Sequence, residues 1–531
     1  MRAEHRRRWL ADSVLIFLLA ALLIWPLFRL EYSTNWASIE STFIADARFL
    51  RDHWPHPNWQ PLWYGGTRFD YIYPPALRYG TAALAKYLRV EPARAYHLYT
   101  AFFYCVGIVG VYWLIRAGSQ RRWLAWLGAA ATALLSPSFL FMTHIRSDAS
   151  WLTPQRLGVL VRYGEGPHMT ALAVLPLALA AAFIGLQRKQ PAALALAAVF
   201  SALVVSNNFY GATALAVFFP ILVWSLWVTR RDHWVWLRAL AIAALAYGLV
   251  AFWLVPSYFR VTQANLSIVA ERGNWWSLCL ALAVAAAFAT LSWKLARGRP
   301  ARAWPVFACG AALFFSLNVL GQYYFKFRVA GEPERMAPEL DLALILIAVE
   351  GLRWLWTLQP ARGSGLSPRL AAGLVVLISF SISLHFVRHA WRIHKADPNP
   401  RQRVEYRLTE WIARNLPGAR NAASGSLRFW YNAWHDLAQL GGGSEQGLLN
   451  QNVVSAQWEL ALGEAPEPSV LWMQCLGVDV VSVHDQNSKE LYHDHVFPRK
   501  FAGLLPVLYD DRKGNVIYRV PRRYPGVARV V

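Results

Sequence analysis

Eleven long apolar runs occupy most of the chain before Arg388. A helix needs about 20 mainly apolar residues to cross the roughly 30 Å hydrocarbon layer of a bilayer. The runs are Leu10–Phe28, His97–Ile115, Trp123–Phe141, Met169–Leu186, Ala192–Val205, Tyr210–Val228, Leu237–Val255, Trp275–Leu295, Trp304–Leu320, Leu340–Leu358 and Leu370–Val387. Only 16% of the 531 residues are charged, against about 25% in soluble domains. The sequence therefore predicts an all-α polytopic membrane protein, followed by a tail of different composition.

The charges between the runs indicate an orientation. The chain has 53 Lys and Arg against 31 Asp and Glu, but the basic residues never form one stripe, which argues against nucleic acid as a partner. Every second connection is short, basic and nearly free of acids, as cytoplasmic loops are. This pattern predicts a cytoplasmic N-terminus and an outer tail in a multi-pass protein of a bacterial inner membrane. Merging or dropping one run would place the tail on the other side.

The composition predicts three parts of the chain. Residues 1–9 form the cytoplasmic N-terminus, and residues 10–388 form the membrane domain. Within the membrane domain, residues 31–96 form a long first outer loop. Residues 389–531 form a periplasmic domain, in which apolar runs long enough to span a bilayer are absent.

The tail has the pattern of a small α/β domain. Tyr406–Leu416 is amphipathic with helical spacing, and Leu476–Val483 contains a strand. Val507–Asp511 and Val516–Val520 flank turn residues and predict a β-hairpin. Four cysteines in the whole chain are too few for a disulfide scaffold. His493–His495 lacks spaced partner ligands, so we interpret it as a surface loop and predict no metal site there.

The first outer loop is rich in aromatic residues. Trp59, Trp63, Tyr64 and Tyr73 lie among prolines and a pair of glycines, a composition typical of a rigid loop at a membrane surface. Such side chains can stack on sugar rings and line a cleft for lipid headgroups. An ordinary interfacial aromatic belt is the alternative interpretation.

The same loop contains a segment that resembles a known motif. Ile39–Leu50, with the sequence IESTFIADARFL, is similar to the pattern Asp-Glu-x-x-Tyr-x-x-x-Ala-Arg-x-Leu of GT-C membrane glycosyltransferases, such as protein mannosyltransferases and aminoarabinose transferases. The run from Trp59 to Pro75 also resembles bacterial membrane proteins labelled 6-pyruvoyl-tetrahydropterin synthase-related. The resemblance implies a GT-C-like fold and transfer of a sugar from a polyprenyl-phosphate-linked donor to an extracytoplasmic acceptor. That acceptor is a glycan, a lipid or a protein.

One position departs from the family pattern. Ile39 stands where the family has an Asp, whose carboxylate acts as a general base or orients the acceptor. Glu40 matches the second acid of the pattern, and Asp46 lies two helical turns beyond Ile39, about 10 Å away. Either Glu40 or Asp46 could supply the catalytic carboxylate. A helix cap or a salt bridge is the structural alternative for both.

The resemblance also implies cations that stabilise the departing phosphate. The candidates lie in the second and last outer loops, where basic residues are flanked by aromatic ones. The phosphate candidates are Arg146, Arg162, Lys326, Arg328 and Arg335, and His144 and His168 are candidates for lining the sugar or headgroup. Salt bridges to Glu165, Glu332 or Glu334 within solvated loops are the alternative. His144, Asp148 and His168 could also join Glu40 around a divalent cation, a cofactor that the resemblance leaves open.

These features predict a membrane glycosyltransferase that binds a lipid-linked donor at the bilayer. Ten of the eleven runs have no charged residue near the middle, and the exception holds Glu350 and Arg353, spaced to pair on one helix face. Clean runs count against a transporter for lipid-linked saccharides, because such a protein needs broken, polar helices around a cavity. The other alternative is a non-catalytic membrane assembly subunit of a cell-envelope glycan system, in which the family's Asp has been lost at Ile39.

Overall fold

The computed structural model describes residues 2–148, 153–269, 275–358 and 367–522. Up to Ile393 the described chain is almost entirely helical. Its helices are α1 (Arg2–Leu23), α2 (Glu40–Asp52), α3 (Phe69–Ile72), α4 (Pro75–Leu88), α5 (Pro92–Ser119), α6 (Arg122–Leu134), α7 (Thr143–Asp148), α8 (Gln155–Gly158), α9 (Gly166–Arg188), α10 (Pro191–Asn207), α11 (Phe209–Arg230), α12 (Trp234–Val250), α13 (Pro256–Ala264), α14 (Leu266–Val269), α15 (Trp275–Ala296), α16 (Ala303–Phe315), α17 (Gly321–Phe325), α18 (Ala337–Thr357) and α19 (Pro368–Ile393). A short antiparallel hairpin, β1 (Trp59–Gln60) and β2 (Thr67–Arg68), lies in the first outer loop.

Each of the eleven predicted apolar runs overlaps one of these helices, which confirms the helical membrane domain. Among the described residues, six helical segments are long and apolar enough to cross a bilayer. They are Pro92–Ser119, Gly166–Arg188, Phe209–Arg230, Trp275–Ala296, Pro300–Phe325 and Pro368–Ile393, while α10 and α12 are shorter apolar helices. The chain is therefore a multi-pass membrane protein. The crossing of the remaining runs, the orientation and the kind of membrane stay predictions.

The third apolar run shows why a helix can end before its apolar stretch does. α6 ends at Leu134, because Pro137 has no N–H to donate and disfavours helical geometry in the residue before it. The chain continues as a turn of 3-10 helix that begins at Pro137. Asp341 of α18 caps this turn by accepting hydrogen bonds from Ser136 Oγ at 2.6 Å and from the Ser138 N–H at 2.7 Å. The break therefore creates a buried polar contact between two of the predicted spans.

α9 lies at the centre of the helical part. Nearly all of its residues are buried, whereas α15 and α19 expose most of their apolar side chains. Gly107 of α5 permits a close approach to α9, since a Cβ there would lie 2.8 Å from the Cα of Ala173. Small residues allow helix backbones to approach in this way inside membranes. The exposed faces of α15 and α19 are the surfaces that we expect to contact lipid.

The tail folds as a small α/β unit, as predicted. It contains α20 (Val404–Asn415), α21 (Gly425–Trp430), α22 (Asn452–Leu462) and α23 (Pro466–Cys475), with strands β3 (Asn421–Ala422), β4 (Val480–His484), β5 (Val507–Asp510) and β6 (Asn515–Arg519). The strand order is β3-β4-β6-β5, with β3 parallel to β4 and the other pairs antiparallel. The predicted helix, strand and hairpin correspond to α20, β4 and the β5–β6 pair. The exact domain boundary near 388 stays a prediction.

The first outer loop and the tail share one hydrophobic core. The rings of Trp36 and Trp430 lie 4.5 Å apart, and Nε1 of Trp430 donates to the carbonyl oxygen of Trp36 at 3.0 Å. The backbones also pair, since the Thr34 N–H donates to the carbonyl oxygen of Lys395 at 3.0 Å. These contacts place the segment that leads into α2, and with it the first residues of the motif.

Candidate active site

Glu40 is the first residue of α2, and its side chain is buried with 1% exposure. Its Oε1 accepts a hydrogen bond from Ser33 Oγ at 3.2 Å, and its Oε2 lies 3.3 Å from His97 Nε2. Ile39 occupies the position before the helix and supplies no side-chain cap, so the N–H of Glu40 donates to Ser38 Oγ at 3.3 Å instead. The positive end of the helix dipole favours a negative charge at this position. The carboxylate thus has an anion-favouring environment without an Arg or Lys partner among the described residues.

Two buried histidines extend the polar surroundings of Glu40. Within the described part of the chain, His97 Nδ1 and both ring nitrogens of His394 have no hydrogen-bond partner. His394 follows α19 directly, and burial, with a smaller effect of the nearby His97, lowers its pKa from 6.5 to about 4. Buried polar groups are normally bonded, so three unpaired ring nitrogens on two histidines that lie near each other are an unusual concentration.

Asp46 lies in the middle of α2 in a very different environment. Its Oδ1 accepts from Nη2 of Arg78 at 3.1 Å, and its Oδ2 accepts from Nε of the same guanidinium. Arg78 is 1% exposed and also donates from Nη1 to the carbonyl oxygens of Phe69 at 3.2 Å and Tyr73 at 2.9 Å. One guanidinium therefore satisfies the carboxylate and ties α2 to α4 and to the loop before it. The structure favours the salt-bridge alternative for Asp46.

The second outer loop packs against the start of α2. The Ile39 N–H donates to the carbonyl oxygen of Tyr163 at 3.1 Å. Gly164 follows with a φ of +74°, and a Cβ there would lie 2.4 Å from the backbone nitrogen of Glu40. The hydroxyl of Tyr96 donates to the Gly164 carbonyl oxygen at 2.9 Å. Glycine is required here both for its backbone conformation and for this close approach.

Glu165, the next residue, connects this loop to the last outer loop. Arg335 Nη1 lies 2.7 Å from Glu165 Oε1, and its Nε lies 3.0 Å from Glu332 Oε2. The hydroxyl of Tyr210 donates to the same Glu332 oxygen at 3.0 Å, with the guanidinium 5.6 Å from the centre of its ring. The Arg335 side chain keeps 52% exposure. Although burial opposes its charge, Tyr210, Glu165 and Glu332 together raise the pKa of Arg335.

The other basic candidates lie farther along these loops. Arg162 is exposed, Lys326 is exposed at the end of α17 with a φ of +56°, and Arg328 is half-buried. Arg146 belongs to α7, but its side chain lies outside the described part of the structure. Their roles as phosphate ligands stay predictions.

Trp63 and Tyr64 are buried, contrary to the expectation that they line an open cleft. Trp63 Nε1 donates to Asn432 Oδ1 at 2.9 Å, and the Tyr64 hydroxyl accepts from the Ser444 N–H at 2.8 Å. Burial is the main cause that raises the pKa of Tyr64. The tail thus covers both rings and bonds their polar atoms, so we correct their role to anchors of the tail.

Trp59 and Tyr73 also differ from each other. Trp59 keeps 50% exposure and lies over Gly66, where a Cβ would approach the indole to 2.7 Å. Tyr73 is buried, and its hydroxyl accepts from Asn208 Nδ2 at 2.7 Å. Burial raises the pKa of Tyr73, with Glu165 acting in the same direction. Trp59 is therefore the exposed member of the predicted aromatic set, and Tyr73 belongs to the wall beside Glu165.

The two predicted histidines do not meet Glu40. His168 is fully buried, with Nε2 2.7 Å from Glu339 Oε1, and His144 is exposed with its ring 5.1 Å from that of Tyr323. Asp148 lies in α7 with its side chain outside the description. Across the described ranges, no group of three His, Cys, Asp or Glu side chains is arranged to hold a metal ion. The expected cluster around Glu40 is replaced by His97 and Ser33.

Sequence reasoning missed Ser33 and His97 as partners of Glu40, and it missed His394 as a buried histidine near His97. His97 begins the second apolar run, so a histidine at the end of a predicted span was an available signal. No sequence signal marked His394 or Ser33. The first outer loop and the segment after α19 are distant along the chain and pair only in the folded structure. Arg156, a further basic residue of the second outer loop, is buried among the helices, with its guanidinium 4.8 Å from the centre of the Tyr104 ring.

The structure resembles solved membrane glycosyltransferases at low sequence identity. Apo oligosaccharyltransferase from Archaeoglobus fulgidus is 14% identical with a TM-score of 0.54, over 89% of this chain and 69% of that one. ArnT from Cupriavidus metallidurans is 15% identical with a TM-score of 0.50, over 96% and 98%. Arabinofuranosyltransferase AftD from Mycobacteria is 17% identical with a TM-score of 0.51, over 97% of this chain but 40% of that one.

These matches are matches of fold, since the sequences have diverged widely. No family model and no curated protein matches the sequence. The three similar structures share a helical membrane domain of the GT-C type, and the resemblance found in the Ile39–Leu50 segment had predicted that architecture. The chain therefore has the GT-C fold.

Proposed function

We propose that this protein is a membrane glycosyltransferase that transfers a sugar from a polyprenyl-phosphate-linked donor to an acceptor outside the cytoplasm. The observation that carries the proposal is the buried carboxylate of Glu40, held by Ser33 and His97 at the start of the motif helix. The fold supports it, because one similar structure is an oligosaccharyltransferase in complex with an inhibitory peptide and a dolichol-phosphate. Fold alone does not define an activity, so the residues of the site must supply the chemistry.

Glu40 would act as the general base of a single displacement. A hydroxyl of the acceptor attacks the anomeric carbon of the donor sugar, and Glu40 accepts the proton of that hydroxyl. The bond between the anomeric carbon and the phosphate oxygen breaks, and the phosphate keeps the electron pair. The leaving phosphate needs no protonation, in contrast to the leaving oxygen of a glycosidase substrate, so one carboxylate suffices. This economy agrees with a site in which Asp46 is engaged by Arg78.

Arg335 is the cation best placed to meet the phosphate. Its guanidinium is linked to Glu40 through Glu165, Gly164 and Tyr163, which lie in one stretch of the second outer loop. Two of its nitrogens contact carboxylates, and its exposed remainder offers N–H groups to a bound phosphate. Arg162, Lys326 and Arg328 stay candidates from the same two loops.

Replacing Glu40 with Gln tests the proposed base. We expect transfer to fall by about 10²- to 10⁴-fold, the usual contribution of a general base, with unchanged abundance in the membrane. The assay incubates purified protein with a panel of radiolabelled polyprenyl-linked sugars. Glu91→Gln is the matched control, because Glu91 is an exposed acid of the same loop.

Two results would overturn the proposal. Full transfer by the Glu40→Gln variant would show that Glu40 is not the base. Absence of transfer by the wild-type protein across the panel would favour the alternative of a non-catalytic assembly subunit. The proposed orientation has its own test with reporter fusions after Arg231 and after Arg392, which should lie on opposite sides of the membrane.

A further inference from the structure

A groove of about 580 Å³ lies where the first outer loop meets the tail. One wall comes from Thr34 and Trp36 in the loop, and another from the segment that joins α19 to α20. The third wall comes from the tail, through the turns at 487–491 and 511–515. The groove therefore exists only because the loop and the tail pack together.

The charges around the groove are unevenly paired. Arg403 Nε lies 2.6 Å from Asp397 Oδ2, and Arg407 Nη2 lies 3.0 Å from Asp511 Oδ2. These two ion pairs balance four of the charges. The two other cations are Lys489 and Lys513. Both are exposed, and within the described residues neither ammonium has an ion-pair partner.

The remaining acid of the lining is buried. Glu405 is 1% exposed and accepts a hydrogen bond from Ser426 Oγ at 2.6 Å. Its burial raises its pKa, which favours the neutral form. Two unpaired ammonium groups facing a groove without a free carboxylate suit a ligand that carries negative charge.

The rest of the lining suits a ligand with many hydroxyl groups. Asn399, Gln402 and Asn487 are exposed side-chain amides on the groove, and each amide can both donate and accept hydrogen bonds. Trp36 is covered, with the Arg403 guanidinium 5.6 Å from the centre of its ring. The groove thus places these amides and the two ammonium groups beside the half-exposed side chain of Leu491.

The groove adjoins the segment that holds the candidate base. Ser33 donates to Glu40 Oε1 at 3.2 Å, and the next residue, Thr34, lines the groove. A ligand seated there would lie against the same short stretch of loop that positions the carboxylate.

We propose that this groove binds an anionic saccharide and, resting on the proposed function, that this saccharide is the acceptor of the transfer. The saccharide carries carboxylate or phosphate groups that meet Lys489 and Lys513, and its hydroxyls bond to the amides.

Binding measurements on the full-length protein in detergent test the assignment without any transfer assay. The probes are trigalacturonate, mannose 6-phosphate and the neutral trisaccharide maltotriose, measured by isothermal titration calorimetry at low salt. The test variant is Lys489→Glu with Lys513→Glu. The control is Lys86→Glu with Arg499→Glu, which changes the charge equally at exposed positions away from the groove.

We expect a charged probe to bind at least tenfold more tightly than maltotriose. Its affinity should fall at least tenfold in the test variant and stay unchanged in the control variant. Binding should also weaken as salt screens the exposed ammonium groups. Tighter binding of trigalacturonate would identify carboxylates as the preferred charge, and tighter binding of mannose 6-phosphate would identify phosphate. Equal losses in both double variants, or no preference for either charged probe, would overturn the proposal. If the protein binds a charged probe but shows no transfer in the separate assay, the groove remains a saccharide site. The acceptor role and the proposed enzymatic function would then be wrong.

Discussion

One short helix, α2, holds two buried carboxylates, one at its start and one in its middle, in opposite ways. At the start of α2, Glu40 meets a serine and a histidine, while in the middle of the helix Asp46 meets the guanidinium of Arg78. Both acids are almost completely buried, with 1% and 2% exposure. Burial alone therefore does not distinguish a structural acid from a chemical one, but the partner does.

The difference has a physical reason. Arg78 carries a permanent positive charge and donates to both carboxylate oxygens of Asp46, so this carboxylate is held in an ion pair. Ser33 donates only one hydrogen bond and carries no charge, and a histidine can change its protonation state near neutral pH. Glu40 is therefore the carboxylate that we propose as the base, whereas Asp46 holds α2 against α4.

The strongest test of this contrast is Asp46→Asn. It leaves the buried Arg78 without its counter-ion, and breaking such a pair costs about 3–5 kcal/mol. We expect a large fall in the thermal unfolding temperature and in membrane abundance. Asp436→Asn is the control, since Asp436 is a half-exposed partner of Arg48 and its loss should cost about 1 kcal/mol or less. If both variants unfold at the same temperature, the structural role assigned to Asp46 is wrong.

His394, the buried histidine directly after α19, predicts an acid sensitivity. The folded-state pKa of His394 is about 4 against 6.5 in the unfolded chain, so its contribution to stability is present above pH 6.5 and is lost as the pH falls towards 4. A shift of this size corresponds to about 3 kcal/mol. The neutral residue in His394→Asn should lose less stability than the wild type when unfolding is compared at pH 7 and pH 4.5. The same acid-induced loss in both proteins would contradict this.

The two arginines of the site give a third comparison. Arg335 is half exposed and Arg78 is buried, so Arg335→Met should raise the KM for the donor lipid while Arg78→Met should lower stability. Losing hydrogen bonds to a charged phosphate should cost about 2 kcal/mol in donor affinity, roughly 30-fold. Donor KM and thermal unfolding measured on both variants decide the case. A drop in unfolding temperature for Arg335→Met equal to that for Arg78→Met would mark Arg335 as structural.

The smallest expected effect belongs to Ser33→Ala. This change removes one hydrogen bond to Glu40, worth about 1 kcal/mol, and should slow transfer roughly fivefold. Stability should fall by only about 1 kcal/mol, because the backbone pairing beside Ser33 remains. Ser13→Ala is a suitable control, because Ser13 Oγ donates to the Trp9 carbonyl oxygen and accepts from Trp113 Nε1, away from the site. A rate equal to wild type would show that Ser33 does not orient the carboxylate.

Local pattern predicted the parts of the site that lie on one element. Glu40 and Asp46 stand on the predicted helix of the motif, and Glu350 pairs with Arg353 on α18 at 2.9 Å, as their spacing predicted. The local pattern did not predict the ion pair between Arg78 and Asp46. The two residues are distant along the chain, and their contact depends on how α2 packs against α4. Trp63 and Tyr64 were misplaced for the same reason, since only the tail covers them.

By itself the sequence determined the helical membrane domain, the α/β tail and the helix that carries the motif. These follow from local rules, because the length of an apolar run and the spacing of polar residues act over a few turns of chain. Only the tertiary structure decided which carboxylate of α2 pairs with an arginine, which aromatic rings the tail covers, and where the loop and the tail enclose a groove. Those outcomes depend on contacts between segments such as Ser33 with Glu40 and Trp36 with Trp430, whose energies arise only when the whole chain is packed.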